Sequence, residues 1–360
     1  MHPDTPSVEW THVSVDWELA RRIAVKIAGD EPLSQSYLGN SLHSDFARFT
    51  PQAEELVSIE TGLYSKDGKA RAKVIDRAGW IDANIRSFQR LLRPILVSEN
   101  GEGSTESRLT KKIAATELGL ILGWMSRRVL GQYDLLLAED EDRDDQDYVY
   151  YVGPNILSVE KKFAFPPQQF RLWLALHELT HRSQFTGVPW LRPHFLSLVN
   201  GMLDEVEPDP DRLKDGIKHL YDERRSGRDP LGEGGLAALF ASDKQRTLLE
   251  SVGGMMSLVE GHGDVTMTRA AIGYVDHAPR FARVLQERRN GAKGFARIMQ
   301  KLMGIEAKLA QYQQGEEFIA AIESQRGNRA VDIIWTDVSY LPSLKEIRDP
   351  EAWMQRVPAI

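Results

Sequence analysis

The sequence contains no cysteine. That excludes disulfides, thiolate metal ligands and thiolate nucleophiles together, and leaves His, Asp and Glu as the side chains able to hold a metal ion. Long apolar runs are missing too: the longest, near Leu118–Met125, is far too short to span a bilayer. Residues Met1 to Glu18 carry polar side chains and prolines where a signal peptide needs an apolar core, so a cytoplasmic location without membrane attachment is expected. Basic excess is also absent. The formal net charge of -7 disfavours a nucleic-acid partner, which normally meets a positive surface.

What is present suits a globular protein. An apolar fraction of 42% over 360 residues suffices for a sizeable core, in one large domain or closely packed smaller ones. The patterning suggests three regions packed as one unit: a helical part over 1–130, a small β-sheet with an active-site helix over 131–190, and a second helical part over 191–360.

Helical periodicity is plain in the first region. Val15–Ala28, with Ser14 as a cap, sets Trp17, Ala20, Ile23 or Ala24, and Ile27 on one side. Ala78–Leu92 repeats the pattern and is expected to end before Pro94, and another apolar helix spans about Ile113–Leu130. Glu99–Ser104 is a loop. The period then shortens: Tyr133–Ala138, Tyr148–Val152 and Ile156–Phe163 are rich in Tyr, Val and Leu and suggest short strands. The acidic run Glu139–Asp147 between them reads as a solvated loop, since it lacks the alternation and glycine of a calcium loop. Phe165-Pro166-Pro167 opens a helix running to about Phe185, stopped by Gly187 and Pro189. Beyond the polar loop Asp204–Asp211 and the Gly-rich Arg225–Gly235 the chain is again mostly helical. A Pro-punctuated segment, Tyr340–Pro358, is expected to wrap the surface.

The helix after the strands contains His177-Glu178-Leu179-Thr180-His181. Residues four apart share one helix face, so both imidazoles can reach one metal ion while Glu178 stands close enough to touch a metal-bound water. This is the H-E-x-x-H pattern of zinc hydrolases: zinc acidifies a water, and the glutamate takes its proton and hands it to a leaving amine. The helix is apolar (Leu172, Trp173, Leu174, Leu176, Leu179), and two histidines and a glutamate are costly there without partners. The alternative is a hydrogen-bonded pair of core histidines.

A third ligand must come from elsewhere. Gln184 and Gly187 stand where the metzincin extension needs a glycine and a histidine, which rules out that subclass. Downstream, Glu260-Gly261-His262-Gly263-Asp264 lies in a helix of about Arg246–Met267 and sets Glu260 and Asp264 on one face. This pattern resembles the second helix of gluzincins; the resemblance implies Glu260 as zinc ligand and Asp264 as the partner that steadies His177. Gly253, Gly254, Gly261 and Gly263 each cost about 1 kcal/mol in a helix interior, which makes sense if another backbone packs very close. His262 is the rival ligand; otherwise it is a candidate stabiliser of the oxyanion, with Tyr274 and His277 as alternatives. His2, His12, His43, His194 and His219 lack ligand spacing.

Further stretches extend the resemblance over nearly the whole chain: Val15-Asp16-Trp17, Val74-Ile75-Asp76-Arg77, Val129–Asp134, Tyr151–Ile156, His177–Phe185, Glu260–Asp264, and Asp349-Pro350 with Trp353 and Arg356-Val357. Together they resemble a little-studied family of bacterial zincin-like hydrolases, some linked by name to biosynthesis of a deazaflavin coenzyme. The resemblance implies a mainly helical α+β fold with a small sheet, a zinc site on the residues above, and an edge strand, Val149–Val152 or Ile156–Lys161, along which a peptide lies. The expected activity is zinc-dependent hydrolysis of a peptide or small-molecule amide; the alternatives are a non-catalytic zinc protein and a metal-dependent hydrolase of a small molecule.

Overall fold

The computed structural model describes residues 15–31, 33, 36–97, 108–135, 146–204, 243–290 and 305–359. The loops expected at Glu99–Ser104 and Arg225–Gly235, nearly all of Asp204–Asp211 and of Glu139–Asp147, and His2, His12 and His219 lie outside them. The fold is mostly helical with a small sheet, as the patterning predicts. No helix among the described residues is long and apolar enough to cross a membrane.

By their contacts the residues sort into two units, one comprising Met1–Pro51 and Ala70–Glu178, the other Gln52–Lys69 and Leu179–Ile360. Two helices, α2 (Leu42–Thr61) and α6 (Pro167–Gly187), run through the divisions unbroken.

Among the described residues the first unit has three strands, β1 (Arg71–Ile75), β2 (Gly131–Tyr133) and β3 (Tyr148–Val152), in the order β1-β3-β2. β1 runs parallel to β3, and β2 antiparallel to it with Gly131 opposite Tyr151. Helices α1 (Trp17–Ala28), α3 (Arg77–Val97) and α4 (Arg108–Ser126) supply a core in which Ala24, Ala28, Trp80, Ile81, Ile85 and Leu122 pack with Val152. Residues alternate faces along a strand, so Tyr151 points to the opposite side, where it stacks on Phe46 of α2 at 3.7 Å and shares a 2.9 Å hydrogen bond with Thr50.

Three expectations are corrected. Ile156–Phe163 is no strand but part of helix α5 (Gly153–Phe163). Pro154 in its first turn suits a helix start, Ala164 closes it in the left-handed conformation, and Ile156, Val159 and Glu160 are buried at helical spacing. Val149–Val152 lies at the sheet's centre, so neither proposed edge strand is one; the edges are β1 and β2. At α1 the cap is Asp16, whose carboxylate accepts from the Leu19 amide. The predicted ends of the other helices shift by a few residues, with α3 continuing past Pro94 and α4 stopping at Ser126.

In the second unit α7 (Leu191–Asp204) follows α6, and α8 (Asp243–Ala270) crosses α10 (Ile305–Arg326), with α9 (Ala278–Asn290) between them in sequence. Gly261 of α8 meets Gly315 of α10 backbone to backbone, so closely that a side chain on either would collide with the other helix. That is the close approach the glycines of α8 predict. The final segment does more than wrap the surface: α11 (Leu344–Arg348) and α12 (Pro350–Arg356) bury Ile347, Trp353 and Val357, and Trp353 meets Phe318 edge to face at 5.6 Å.

A candidate metal centre on two helices

Helix α6 is buried for most of its length, and its apolar residues Phe170, Ala175, Leu176 and Leu179 are fully enclosed. Within it, His177 and His181 stand one turn apart on one face. Glu260 comes from α8. One ligand atom from each of His177, His181 and Glu260 falls within 4.8 Å of the others, and all three side chains are half-buried. In the second unit, Glu260 Oε2 lies 3.4 Å from His181 Nε2. This brings together the three residues expected to hold a metal.

Gly263 allows the approach. A methyl group on it would stand 3.1 Å from His181 Cε1, so the backbone of α8 lies directly against the imidazole. The four-residue spacing therefore aligns Glu260 with Asp264, while the glycine between them admits the histidine ring. Asp264 itself is half-buried, one turn beyond Glu260.

Glu178 occupies a different setting. It is 6% exposed, and its carboxylate lies under strand β2, where a methyl group on Gly131 would stand 2.6 Å from Oε1. Tyr151, opposite Gly131 in the ladder, is near enough for the Glu178 charge to help raise its phenol. Burial is the larger cause, and the bond from Thr50 works against it. The expected base thus sits beneath an edge strand that composition alone did not pick out; Gly131 was visible in the sequence, but its contact with Glu178 was not.

His262 is brought close to His181 but turned elsewhere. It is 4% exposed, and its ring meets Trp335 edge to face at 4.8 Å. Its Nδ1 lies 3.0 Å from Gln184 Nε2, and Thr266 Oγ1 is 3.5 Å from both ring nitrogens. Burial, reinforced by the nearby Arg269 charge, pushes its pKa down to about 3 and holds it neutral. Beside it opens a cavity lined by Glu60, Thr61, Arg269, Glu323, Arg329 and Asp332. Those charges largely answer one another: Arg269 donates to Glu323, and Arg329 to Asp332 and to the Thr61 carbonyl. Tyr274 and His277 lie past the end of α8, separated from Glu260 by about 15 Å of helix at 1.5 Å per residue. Tyr274 is half-exposed.

Gln184 is the residue the sequence reasoning missed, having served there only to exclude a subclass. It is fully buried three residues after His181, and its amide touches His181, His262 and the Val259 carbonyl. A glutamine one turn from a candidate ligand histidine, among the apolar residues that mark a helix as core, is a signal that could have found it.

Residues 15–354 match the family profile described as zincin-like metallopeptidase. A solved structure from Chloroflexus aurantiacus, described as that of a candidate hydrolase with a novel fold, is similar to this chain at 28% identity and a TM-score of 0.68. It covers 95% of this chain and 98% of its own. Among proteins of curated function, none matches this sequence.

Proposed function

The chain belongs to the zincin-like metallopeptidase family, and we propose that it is a zinc-dependent hydrolase of amide bonds, with His177, His181 and Glu260 as ligands and Glu178 as general base. The observation that carries this reading is the gathering of two imidazole nitrogens and a carboxylate oxygen within 4.8 Å. That donor set fits zinc, and three protein ligands leave a coordination position for chemistry. Bound there, zinc supplies Lewis acidity, polarising a carbonyl and bringing the pKa of a water to about 7.

The chain's own side chains do the rest. Glu178, one residue from His177 on α6, takes the proton of the attacking water at its carboxylate and returns it to the leaving amine. Its enclosure beneath β2 limits competing solvent. Asp264 orients His177, and neutral imidazoles keep their lone pairs for the metal. A peptide is the preferred substrate because β2 lies at the sheet edge directly over Glu178, and an extended chain can pair with such an edge. The same sheet position supports an amide bond held close to the base.

Metal analysis of the purified protein by plasma mass spectrometry tests the reading. About one zinc per chain is expected, lost in Glu260→Ala and retained in His262→Ala. The reverse pattern would move the third ligand to His262. Absence of metal after zinc is supplied would sink the proposed chemistry and leave His177 and His181 as core histidines.

A further inference from the structure

Gln184 presents three partners to one amide group. Its Nε2 lies 2.9 Å from the Val259 carbonyl oxygen and 3.0 Å from His262 Nδ1, and its Oε1 lies 3.0 Å from His181 Nδ1. Amide oxygen and nitrogen are told apart by their partners, and the Val259 carbonyl settles the matter. A carbonyl oxygen only accepts, so the atom facing it must be the NH2. The amide oxygen is then forced towards His181.

The tautomers follow. An amide oxygen only accepts, so His181 Nδ1 must carry the hydrogen; in the neutral ring Nε2 is then the lone-pair nitrogen, on the side of Glu260 Oε2, 3.4 Å away. The second hydrogen of the Gln184 NH2 points at His262 Nδ1, which must accept it, so the His262 hydrogen is on Nε2. Trp335 and Thr266 hold that ring in place.

We propose that Gln184 is a positioning residue for the metal centre: anchored by the Val259 carbonyl and by His262, it fixes the tautomer and orientation of His181 for metal binding. The inference rests on the metal-site reading above and deepens it. It gives His262 a role beside the site, and it explains how one side chain ties α6, which carries the histidines, to α8, which carries Glu260. Val259 is the residue immediately before Glu260, so the bond that orients His181 also registers the third ligand against it.

Two measurements test it. In the metal-free chain, nitrogen NMR of the histidine rings reads the tautomers directly. The expected result is His181 protonated on Nδ1 and His262 on Nε2; either one in the opposite form would overturn the proposal. Competition with a chromogenic chelator then gives zinc affinity for the parent, Gln184→Met and His262→Phe. Gln184→Met is expected to bind zinc about 10- to 100-fold more weakly, with a shifted cobalt(II) absorption spectrum, and His262→Phe to lose less. A folded Gln184→Met that binds zinc as tightly as the parent overturns the positioning role and leaves the metal site standing. A parent that binds no zinc instead removes the proposed function, while the ring tautomers still report on the Gln184 network. Should Gln184→Met fail to fold, the NMR result on the unaltered chain decides.

Discussion

Helix α6 carries two polar clusters within a few turns of each other, one buried and one half-buried. At Arg171 a guanidinium, 2% exposed, pairs with both oxygens of Glu160 and donates to Asp45 and Ser41. At His177 and His181 the same helix offers imidazole nitrogens that gather with Glu260. The first cluster brings its own cation, and its donors and acceptors match within the chain. The second is a convergence of lone-pair donors, which is the chemistry of a site for a positive ion. What tells the two apart is the kind of atom gathered: a side-chain cation with its acceptors at one end, two imidazoles and a carboxylate that could hold a metal ion at the other.

Glu178→Gln should have the largest effect. Turnover of a susceptible peptide is expected to fall by about 10²- to 10⁴-fold, the usual contribution of a general base, with zinc content unchanged. Turnover that survives would remove Glu178 from the chemistry.

Removing the cation of the other cluster should act on stability alone. Arg171→Leu leaves Glu160 and Asp45 buried without their partner, and is expected to cost about 3–5 kcal/mol in urea denaturation. Zinc bound per folded chain should not change. If zinc and stability were lost together, the division between the two clusters would break.

Asp134 is an intermediate case, a buried acid whose cation stands off. Arg90 lies 3.7 Å away and Ser87 donates at 3.3 Å, yet burial prevails and pushes the carboxyl up to about 6 from 3.8. The native state holds this proton at pH values where the unfolded chain has released it, so stability declines as pH rises from about 4 to about 6. Asp134→Asn should flatten that decline, by at most about 3 kcal/mol in melts compared at pH 4 and pH 7. An unchanged pH dependence would show that Arg90 compensates in full.

The smallest effect is expected at Gly131→Ala. The new methyl group would stand 2.6 Å from Glu178 Oε1. The flexible carboxylate can yield, so turnover should fall only about tenfold through misplacement of the base, with zinc retained. Parental activity would show that Glu178 does not need its place under β2.

Much of this was legible in residue order. The fourfold spacing of His177 and His181 and of Glu260 and Asp264 needs only helical geometry, and the glycines of α8 announced a close crossing that Gly261 and Gly315 make. Reading Ile156–Phe163 as a strand failed because composition outweighed spacing: Ile156, Val159 and Glu160 follow a helical period, and Pro154 marks a helix start. The strand β1 escaped notice because five residues, Arg71–Ile75, with two basic side chains form no run of alternating burial.

The sequence by itself determined the local units: which stretches coil, which face of each helix is apolar, and which side chains can meet one metal along a single helix, because these depend on neighbours within a turn. Tertiary structure alone decided which strand became the edge over Glu178, how Gly263 admits the His181 ring, and that Gln184 bonds Val259 and His262 across a gap of more than seventy residues. Those are contacts between elements distant in the chain, set by packing and hydrogen-bond satisfaction in the core, and no periodicity in the sequence records them.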